Sequence, residues 1–475
     1  MHLGKKTKII CTIGPATETE AKLTELLKVG MNVMRLNFSH GDFAEHQARV
    51  NNLHAAVKKT GIPAAILQDL SGPKIRIGDF KTDTGRVTLK PGQFFTLTTK
   101  QIEGNESKVH VNYPLLPKEV KVGGFILLDD GKKKLQIVDI KGDEVKCKVL
   151  VGGETKGRRG VNLPGAYLSI SSITEKDRKD LAFGVKNKVD YIALSFVRRA
   201  EDVIELRALL DKAKSKAGII AKIETPEAVE NIDKIIELSD GIMVARGDLA
   251  IEVPAENVPM IQKMIIRKCN EAAKPVITAT QMLESMIKNP VPTRAEVSDV
   301  ANAILDGTDA IMLSEETTLG EHPIEAVQVM TRVSTRVENE HLHKQLLNGD
   351  IAGKVKGVGE SVTASVAKTA ERIGARYIVT LTNTGYSARM ISRYKSNHHI
   401  LVFTPNKETF QKSLLYFGCD PFLVPKSNDF VGTIKSIKQS IVKNKLANKG
   451  DKIVVATGTP FGKIGYTNMM LVDVI

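Results

Sequence analysis

The stretch Ile219–Gly247, IIAKIETPEAVENIDKIIELSDGIMVARG, joins two continuous apolar runs through a segment with helical periodicity. Thr225 stands at the expected N-cap of that helix, and Pro226 follows in its first turn, where the missing N–H of proline costs nothing. Continuous apolar strands that alternate with helices are typical of a parallel sheet covered on both faces. The stretch therefore predicts a strand, a helix and a second parallel strand.

The same pattern recurs over the first two thirds of the chain. Eight short apolar runs occur there, and helix-period segments lie between most of them. In one of these segments, Thr17 and Glu20 match a capping box, and Gly30 ends the helix. Eight strand–helix units predict a closed (β/α)8 TIM barrel. The runs are TKIICTIG, VMRLNFS, AAILQDL, YIALSF, IIAKIE, GIMVARG, PVITATQ and AIMLSEE.

Two parts of the chain break this spacing. Between AAILQDL and YIALSF lie alternating segments such as FFTLTT and VKCKVLV, separated by glycines. They predict a small β-barrel inserted as a lid on the active-site face. Near the C-terminus, helix and strand alternate again, which predicts a third, α/β domain. We therefore expect barrel segments at 1–70 and 169–345, the lid at 71–168 and a regulatory domain at 346–475.

The composition is typical of a soluble protein, and we expect a cytoplasmic one. Of 475 residues, 42% are hydrophobic and 26% are charged, and the N-terminal region has no apolar segment long enough for a signal peptide or a membrane span. Four dispersed cysteines indicate reduced thiols. The net charge of +14 is spread along the chain and aromatic residues make up 5%, so small anions are favoured as partners over nucleic acid.

Polar or charged side chains follow most of the eight runs. Active sites of such barrels lie at the carboxyl ends of the strands, so these side chains predict one site. A helix cap or a loop hydrogen bond explains any one of them, but it explains the whole set poorly. The residues are Asn37, Ser39, Asp69, Lys222, Glu224, Arg246, Asp248, Thr280, Ser314 and Glu315.

Lys222 and Glu224 project to the same side because they lie two positions apart on one strand. They either form a simple buried ion pair or belong to a catalytic site. Asp248, at the end of the next strand, supplies a second carboxylate, and two carboxylates with open positions beside them suit Mg²⁺. In that case Lys222 neutralises charge on a reacting group, and Arg35 holds a phosphate or carboxylate.

The chain resembles pyruvate kinases through motifs that follow in order along nearly its whole length. The long motifs TATQMLESM and PTRAEVSDVANAILDGTDAIMLSEET are highly specific, and RLNFSHG, GPKIRI, VNLPG, AKIET, VARGDLA and TNTGYSA accompany them. The resemblance implies a barrel, a β-barrel lid inserted after its third strand and a C-terminal α/β domain. It also implies the last step of glycolysis, in which phosphoenolpyruvate and ADP give pyruvate and ATP.

The resemblance implies a role for each matching residue. Glu224 and Asp248 would bind the Mg²⁺ that bridges the phosphate and carboxylate of phosphoenolpyruvate, and a second Mg²⁺ would arrive with ADP. Lys222 would stabilise the phosphoryl group during transfer, with Arg35 on another side of it. Thr280 would help to deliver a proton to the enolate. Backbone N–H groups for the substrate carboxylate would come from Arg246, Gly247 and Asp248, and nucleotide contacts from Asn37, His40, Arg76, Asp130 and Arg159.

The stretch LQDLSGPKIRIG departs from the family's common DTKGPEIRTG. Most pyruvate kinases need K⁺, and Leu70 lacks the side-chain oxygen that would coordinate it. Lys74 stands in place of a glutamate, so we expect its ammonium, paired with Asp69, to replace K⁺, as in the K⁺-independent branch of the family. The alternative is a solvated surface lysine. The residues that match the family's K⁺ ligands are Asn37, Ser39, Asp69 and Leu70.

The late loop TLTNTGYSA predicts a phosphate site. Thr382, Thr384 and Ser387 lie where a strand ends and a helix begins, although a plain helix cap explains the same residues. The equivalent loop of the family binds an effector phosphate. Because the chain has no tryptophan, the sugar-stacking tryptophan of some fructose-1,6-bisphosphate sites is missing. We therefore expect a phosphorylated monosaccharide or AMP as effector.

Two other classes of protein share some of these features. An Mg²⁺-dependent barrel aldolase or carbon–phosphorus mutase would have the carboxylate pair, but it would lack the lid and the TATQMLESM motif and would not consume ADP. A basic binding protein would have no reason to collect Lys222, Glu224, Asp248 and Thr280 at strand ends. The resemblance further implies a homotetramer.

Overall fold

The structure, a computed structural model, describes residues 4–340, 357–461 and 466–475. The strands in chain order are β1 Lys8–Thr12, β2 Val33–Asn37, β3 Ala65–Asp69, β4 Arg86–Leu89, β5 Phe94–Thr98, β6 Lys108–His110, β7 Phe125–Leu128, β8 Lys133–Lys141, β9 Glu144–Val151, β10 Gly153–Lys156, β11 Val161–Asn162, β12 Tyr191–Val197, β13 Gly218–Ile223, β14 Gly241–Ala245, β15 Val276–Ala279, β16 Ala310–Leu313, β17 Tyr377–Leu381, β18 Ile400–Thr404, β19 Cys419–Leu423, β20 Lys452–Thr457 and β21 Met469–Val474.

Helices connect most of these strands, and short 3₁₀ turns lie at Ala255–Asn257 and Glu284–Ile287. The described α-helices are α1 Glu20–Val29, α2 Phe43–Thr60, α3 Leu116–Glu119, α4 Glu175–Lys186, α5 Ala200–Lys212, α6 Pro226–Glu230, α7 Ile232–Leu238, α8 Arg246–Glu252, α9 Val258–Glu271, α10 Arg294–Leu305, α11 Glu315–Thr318, α12 Pro323–Glu338, α13 Val358–Ile373, α14 Tyr386–Ser392, α15 Lys407–Ser413 and α16 Phe430–Lys443.

A closed parallel barrel forms the first unit. Its strands follow in the order β1-β16-β15-β14-β13-β12-β3-β2, and β1 pairs with both β2 and β16. Alternate residues along a strand enter different buried clusters. Ile220 and Met243 belong to the barrel interior, whereas Ile219 and Ile242 pack in the layer shared with the helices. The predicted (β/α)8 barrel is confirmed.

The predicted helix caps are partly confirmed. Thr225 accepts a hydrogen bond from the backbone N–H of Ala228 at 3.2 Å and caps α6. The predicted capping box of Thr17 is wrong, because helix α1 begins at Glu20 with Thr19 as its N-cap. The Thr17 hydroxyl instead donates to the backbone carbonyl of Thr317 in α11 at 2.6 Å.

Strands β4 to β11, which lie between β3 and helix α4, form the inserted, mainly β unit. Its strands make a six-stranded sheet, β11-β7-β8-β9-β5-β6, and a two-stranded sheet, β10-β4, around one apolar core. The lid touches helix α8 of the barrel, since Asn162 Nδ2 donates to Glu252 Oε1 at 2.8 Å. The lid thus lies at the carboxyl ends of the barrel strands, as the sequence predicts.

The third unit is a five-stranded sheet, β19-β18-β17-β20-β21, in which β21 runs antiparallel. It packs on the opposite end of the barrel from the lid. Lys8, at the start of β1, donates to the Cys419 carbonyl at 2.7 Å, and Lys395 pairs with Asp309 at 2.6 Å. The predicted α/β domain is confirmed. Its predicted boundary with the barrel, at 345/346, lies outside the described residues, and the other boundaries stay proposals.

The four cysteines are buried and not joined by disulfides. None of the helices in the described ranges is long and apolar enough to cross a membrane.

Candidate active site

The Lys222 ammonium lies at the centre of a buried polar cluster at the carboxyl end of the barrel. Its Nζ is 2.7 Å from Ser195 Oγ, 2.9 Å from Glu224 Oε1 and 3.4 Å from Asp69 Oδ1. The two side chains therefore project to the same side of the strand, and they form the ion pair that was one of the two alternatives from the sequence. Burial disfavours the ammonium, but Asp69 and Glu224 outweigh it and raise the lysine pKa, so the side chain is charged at neutral pH.

Asp69 is shared between two cations. Arg35 donates to Asp69 Oδ2 from Nε at 2.7 Å and to Thr12 Oγ1 from Nη1 at 2.8 Å. Burial disfavours the charged carboxylate, but Lys222 and Arg35 outweigh it and lower the pKa of Asp69. The carboxylate therefore fixes both Lys222 and Arg35, which lie on different strands.

Glu224 is fully buried, and the Phe196 N–H donates to its Oε2 at 2.6 Å. Burial raises its pKa to about 7, and the nearby charge of Asp248 acts in the same direction. Asp248 lies in the first turn of α8 and lines the cleft between the barrel and the lid. A buried carboxylate whose charge is opposed by a second carboxylate nearby fits a hard divalent cation such as Mg²⁺.

The protein supplies few ligands to such an ion. Among the residues that the structure describes, no group of three or more histidines, cysteines and carboxylates is arranged to hold a metal. Mg²⁺ usually keeps several waters and takes one or two carboxylates together with substrate phosphates. The donor set of Glu224 and Asp248 therefore fits an ion completed by substrate oxygens.

The Arg246 side chain supports the site from outside the cluster. Its guanidinium pairs with Asp299 through two contacts of 2.7 Å and donates to the Thr280 carbonyl at 2.7 Å. The Gly247 N–H donates to Thr280 Oγ1 at 2.7 Å, and that hydroxyl donates to the Ala279 carbonyl at 2.6 Å. A substrate carboxylate at the Gly247 N–H would therefore replace the Thr280 hydroxyl.

A cleft of about 510 Å³ separates the barrel end from the lid. Burial, with the neighbouring cations Lys74, Arg35 and Arg76, lowers the pKa of His40 in this cleft. Of the predicted nucleotide contacts, the structure brings four together on the cleft wall, while Asn37 lies behind it and accepts the Ser39 N–H at 3.1 Å. The four are His40, Arg76, Asp130 and Arg159.

Two neighbouring lid carboxylates differ in their surroundings. Asp129 is paired with Lys133 and lies 3.4 Å from Arg159 Nε. Asp130, the predicted contact, is exposed on the cleft wall. Asp129 therefore orders the lid arginine, and Asp130 is left to face a ligand.

Lys74 also lines the cleft. Burial, followed by Arg76 and Lys222, lowers its pKa, while Asp248 and Asp69 act in the opposite direction. The predicted ion pair between Lys74 and Asp69 is wrong. Asp69 pairs with Arg35 and Lys222, and no carboxylate in the described ranges forms an ion pair with Lys74. The Lys74 ammonium is therefore left facing the cleft.

Three hydroxyl residues near the cluster are absent from the sequence-based prediction. Ser195 accepts from Lys222, Thr12 accepts from Arg35, and Ser71 Oγ lies 3.2 Å from Ser39 Oγ. Thr12 and Ser195 lie near the ends of the apolar runs TKIICTIG and YIALSF, so the rule used for the other strands would have included them. Ser71 directly follows the run AAILQDL, so the same rule would have included it as well.

The loop in the C-terminal domain borders a separate cavity with Lys426 and Ser427. The Thr382 hydroxyl accepts the Gly385 N–H at 3.0 Å, and the Thr384 hydroxyl accepts the Tyr386 N–H at 3.4 Å. Ser387 is buried and its hydroxyl lies 2.6 Å from that of Thr467. Helix α14 has Gly385 as its N-cap and no side-chain cap, so the two threonine hydroxyls bond backbone N–H groups at the start of the helix, within a cavity that also presents the Lys426 cation.

Comparisons with known proteins agree along the chain. Residues 4–327 match the family described as Pyruvate kinase, barrel domain, and residues 360–472 match that described as Pyruvate kinase, alpha/beta domain. A pyruvate kinase from Geobacillus stearothermophilus is 45% identical over 99% of this chain and 80% of its own length. One from Staphylococcus epidermidis is 43% identical over the same shares. A crystal structure of a Cryptosporidium parvum pyruvate kinase matches with a TM-score of 0.95 at 38% identity, over 99% of this chain and 96% of that one.

Proposed function

Because the chain belongs to the pyruvate kinase family, whose members are phosphotransferases, we propose that the Lys222 cluster transfers the phosphoryl group of phosphoenolpyruvate to ADP. The observation that carries this assignment is the buried Lys222 ammonium, held between Asp69 and Glu224 beside a cationic cleft. A fixed cation suits a phosphoryl group whose charge spreads over three oxygens during transfer. Asp69 and Glu224 keep the Lys222 ammonium charged even when no substrate is bound.

Glu224 and Asp248 are the proposed Mg²⁺ ligands. Bound there, Mg²⁺ would neutralise charge on the phosphate and carboxylate oxygens of phosphoenolpyruvate. Glu224 contributes a buried carboxylate oriented by the Phe196 N–H, and Asp248 contributes one at the start of α8. We propose that a second Mg²⁺ enters with ADP and is held by nucleotide phosphates.

Arg35 and Lys222 are both proposed to contact the phosphoryl group, from different sides. Arg35 approaches from β2 and Lys222 from β13, and Asp69 fixes both cations. Cations fixed before the reaction stabilise developing charge without reorganising during it. Arg35 is thus proposed to bind the phosphate in the ground state, and Lys222 to follow it during transfer.

Thr280 and the start of α8 are proposed to act at the carboxylate end of the substrate. The backbone N–H groups at Arg246, Gly247 and Asp248 would bind the substrate carboxylate at the N-terminal turn of α8. That contact frees the Thr280 hydroxyl from the Gly247 N–H, to which it is bonded at 2.7 Å. The freed hydroxyl is then proposed to relay a proton from water to the enolate left after phosphoryl transfer, so that Thr280 itself loses no net proton.

The cleft under the lid is the proposed ADP site. His40 faces the nucleotide phosphates from the barrel side, and Arg76 and Arg159 face them from the lid, where Asp130 also lines the cleft. Asn37 supports this wall, because its backbone carbonyl accepts the N–H of His40 at 3.2 Å. The cluster of cations favours a polyphosphate, which an aldolase acting on pyruvate would not require.

We propose that the Lys74 ammonium replaces K⁺. It supplies a tethered positive charge near Asp69 and Asp248, both of which act on its pKa, without forming an ion pair. Leu70 is buried and brings no side-chain oxygen to the site that K⁺ would use. The enzyme is therefore expected to work without a monovalent activator.

The loop of Thr382, Thr384 and Ser387 is proposed to bind an effector phosphate, with a phosphorylated monosaccharide or AMP as the effector. Its cavity, with Lys426 opposite, supports that proposal. Titrating each compound against turnover at low phosphoenolpyruvate tests it, and no response to any of them would refute it. We also propose a cytoplasmic homotetramer, which sedimentation equilibrium would test.

Phosphorus NMR of phosphoenolpyruvate, ADP and Mg²⁺ with the enzyme tests the proposed reaction directly. The account predicts one ATP formed for each phosphoenolpyruvate consumed, with no release of inorganic phosphate, and no such turnover in Lys222→Met. Cleavage of oxaloacetate without consumption of ADP would instead support the aldolase class.

A further inference from the structure

Strands β12 and β13 lose their one-to-one register next to Lys222. Leu194 pairs with Ala221, but the next pair is Val197 with Ile223. Two residues of β12, Ser195 and Phe196, therefore stand opposite the single residue Lys222. This is the count that defines a β-bulge, a feature that often redirects side chains next to active sites.

The bulge changes the facing of the residues that follow Ser195. Leu194 and Val197 both pack in the outer hydrophobic layer, although three positions apart they would face opposite sides of a regular strand. Phe196 takes up the extra residue with a φ of 53°, in the left-handed region that is uncommon for a bulky side chain. Ser195 itself faces the cluster by the ordinary alternation of the strand, and the bulge places Phe196 and its N–H next to it.

This short segment contacts both charged groups of the neighbouring strand. Ser195 Oγ lies 2.7 Å from Lys222 Nζ, and the Phe196 N–H donates to Glu224 Oε2 at 2.6 Å. The same Ser195 hydroxyl is 2.7 Å from the Leu70 carbonyl and 3.4 Å from Asp69 Oδ1. The shorter contact assigns the hydroxyl proton to Leu70, which leaves an oxygen lone pair for the Lys222 ammonium.

We propose that Ser195 is a positioning residue that holds Lys222 aimed at the phosphoryl group. Without this neutral acceptor, the ammonium would move toward Glu224 and Asp69, which attract it by charge. Ser195 is 2% exposed, so water does not readily take its place. A hydroxyl directs the ammonium without adding a negative charge that would repel the phosphate. The inference rests on the proposed role of Lys222.

Three variants test it. Ser195→Ala removes the acceptor, and Ser195→Cys keeps a side chain of similar size with only a weak acceptor. Both should lower kcat by about tenfold to a hundredfold, the range expected for losing a hydrogen bond to a charged group, with KM for phosphoenolpyruvate changed by less than about threefold. The control is Ser172→Ala, which removes a buried serine bonded to the Phe196 carbonyl at 2.9 Å but not to Lys222. It should retain kcat.

Each outcome has one meaning. If Ser195→Cys keeps full kcat while Ser195→Ala does not, the side chain acts by packing and the inference is overturned. The inference is also overturned if both keep kcat, or if Ser172→Ala loses as much as they do. Should Ser195→Ala fail to fold, the Cys variant decides the matter alone. Full activity of Lys222→Met would contradict the proposed function itself, before Ser195 is considered.

Discussion

Asn162 of the lid donates a hydrogen bond of 2.8 Å to Glu252, the last residue of barrel helix α8. The same short helix carries Asp248 and the Gly247 N–H in its first turn. Burial, followed by the charge of Asp248, raises the pKa of Glu252. The lid therefore contacts the element that holds a proposed metal ligand, so lid position and site geometry are linked through one helix.

Asn162→Ala should weaken docking of the lid. Because a hydrogen bond to a carboxylate contributes about 1.5–3 kcal/mol, KM for ADP should rise by roughly tenfold or more. Steady-state kinetics with ADP varied measure the change. The control is Asn105→Ala, since Asn105 bonds Ser107 and Lys108 within its own lid turn. An unchanged KM in the Asn162 variant would show that this contact does not close the cleft.

Asp248→Asn should raise the Mg²⁺ concentration needed for half-maximal velocity by at least about tenfold, because an amide brings no charge to a hard cation. The measurement is velocity against free Mg²⁺ at saturating substrates. Glu256→Gln is the matched control, since Glu256 is exposed and lies just beyond α8. A Mg²⁺ dependence identical to that of the unmodified enzyme would remove Asp248 from the metal site.

Asp190 should make stability fall with rising pH. Burial raises its pKa to about 7 from an ordinary 3.8, although Ile66, Lys412 and Gln411 act against the rise. Between these values the folded chain holds a proton that the unfolded chain has released, so the free energy of unfolding declines as pH rises and levels off above 7.

Asp190→Asn should therefore increase the free energy of unfolding at pH 8 by about 1–2 kcal/mol, and much less at pH 4. The neutral amide oxygen still accepts the Ile66 N–H, which Asp190 binds at 2.8 Å. Urea unfolding at the two pH values measures the effect, with the exposed Asp211→Asn as control. A gain that is equal at both values would mean that Asp190 is ionised throughout.

Much of this architecture can be predicted from the sequence. The apolar runs predict the barrel because eight short apolar strands that alternate with helices fit few other folds. The two-residue spacing of Lys222 and Glu224 predicts that both side chains project to the same side of their strand. The bulge at Ser195 is different, since it appears only in the pairing of β12 with β13. The partner of Arg246, Asp299, lies on helix α10 and has no local signal. The position of Lys74 could not be predicted either, because Asp69 is already paired with Arg35 and Lys222, which come from other strands.

Lys74→Glu should create a need for K⁺. The substitution removes the tethered ammonium and restores the carboxylate of the family's common motif, so activity should be low in tetramethylammonium salt and rise at least tenfold with KCl. Lys121→Glu, at an exposed lid position, is the control and should need no K⁺. Equal activity of the Lys74 variant with and without KCl would mean that neither cation matters here.

The most direct test is pyruvate formation by the unmodified enzyme from saturating phosphoenolpyruvate, ADP and Mg²⁺, in tetramethylammonium chloride and after replacement by KCl at constant chloride. The account predicts full activity in the first buffer and less than a twofold change in the second. A tenfold or greater rise on adding KCl would contradict the assignment of Lys74 as the built-in cation.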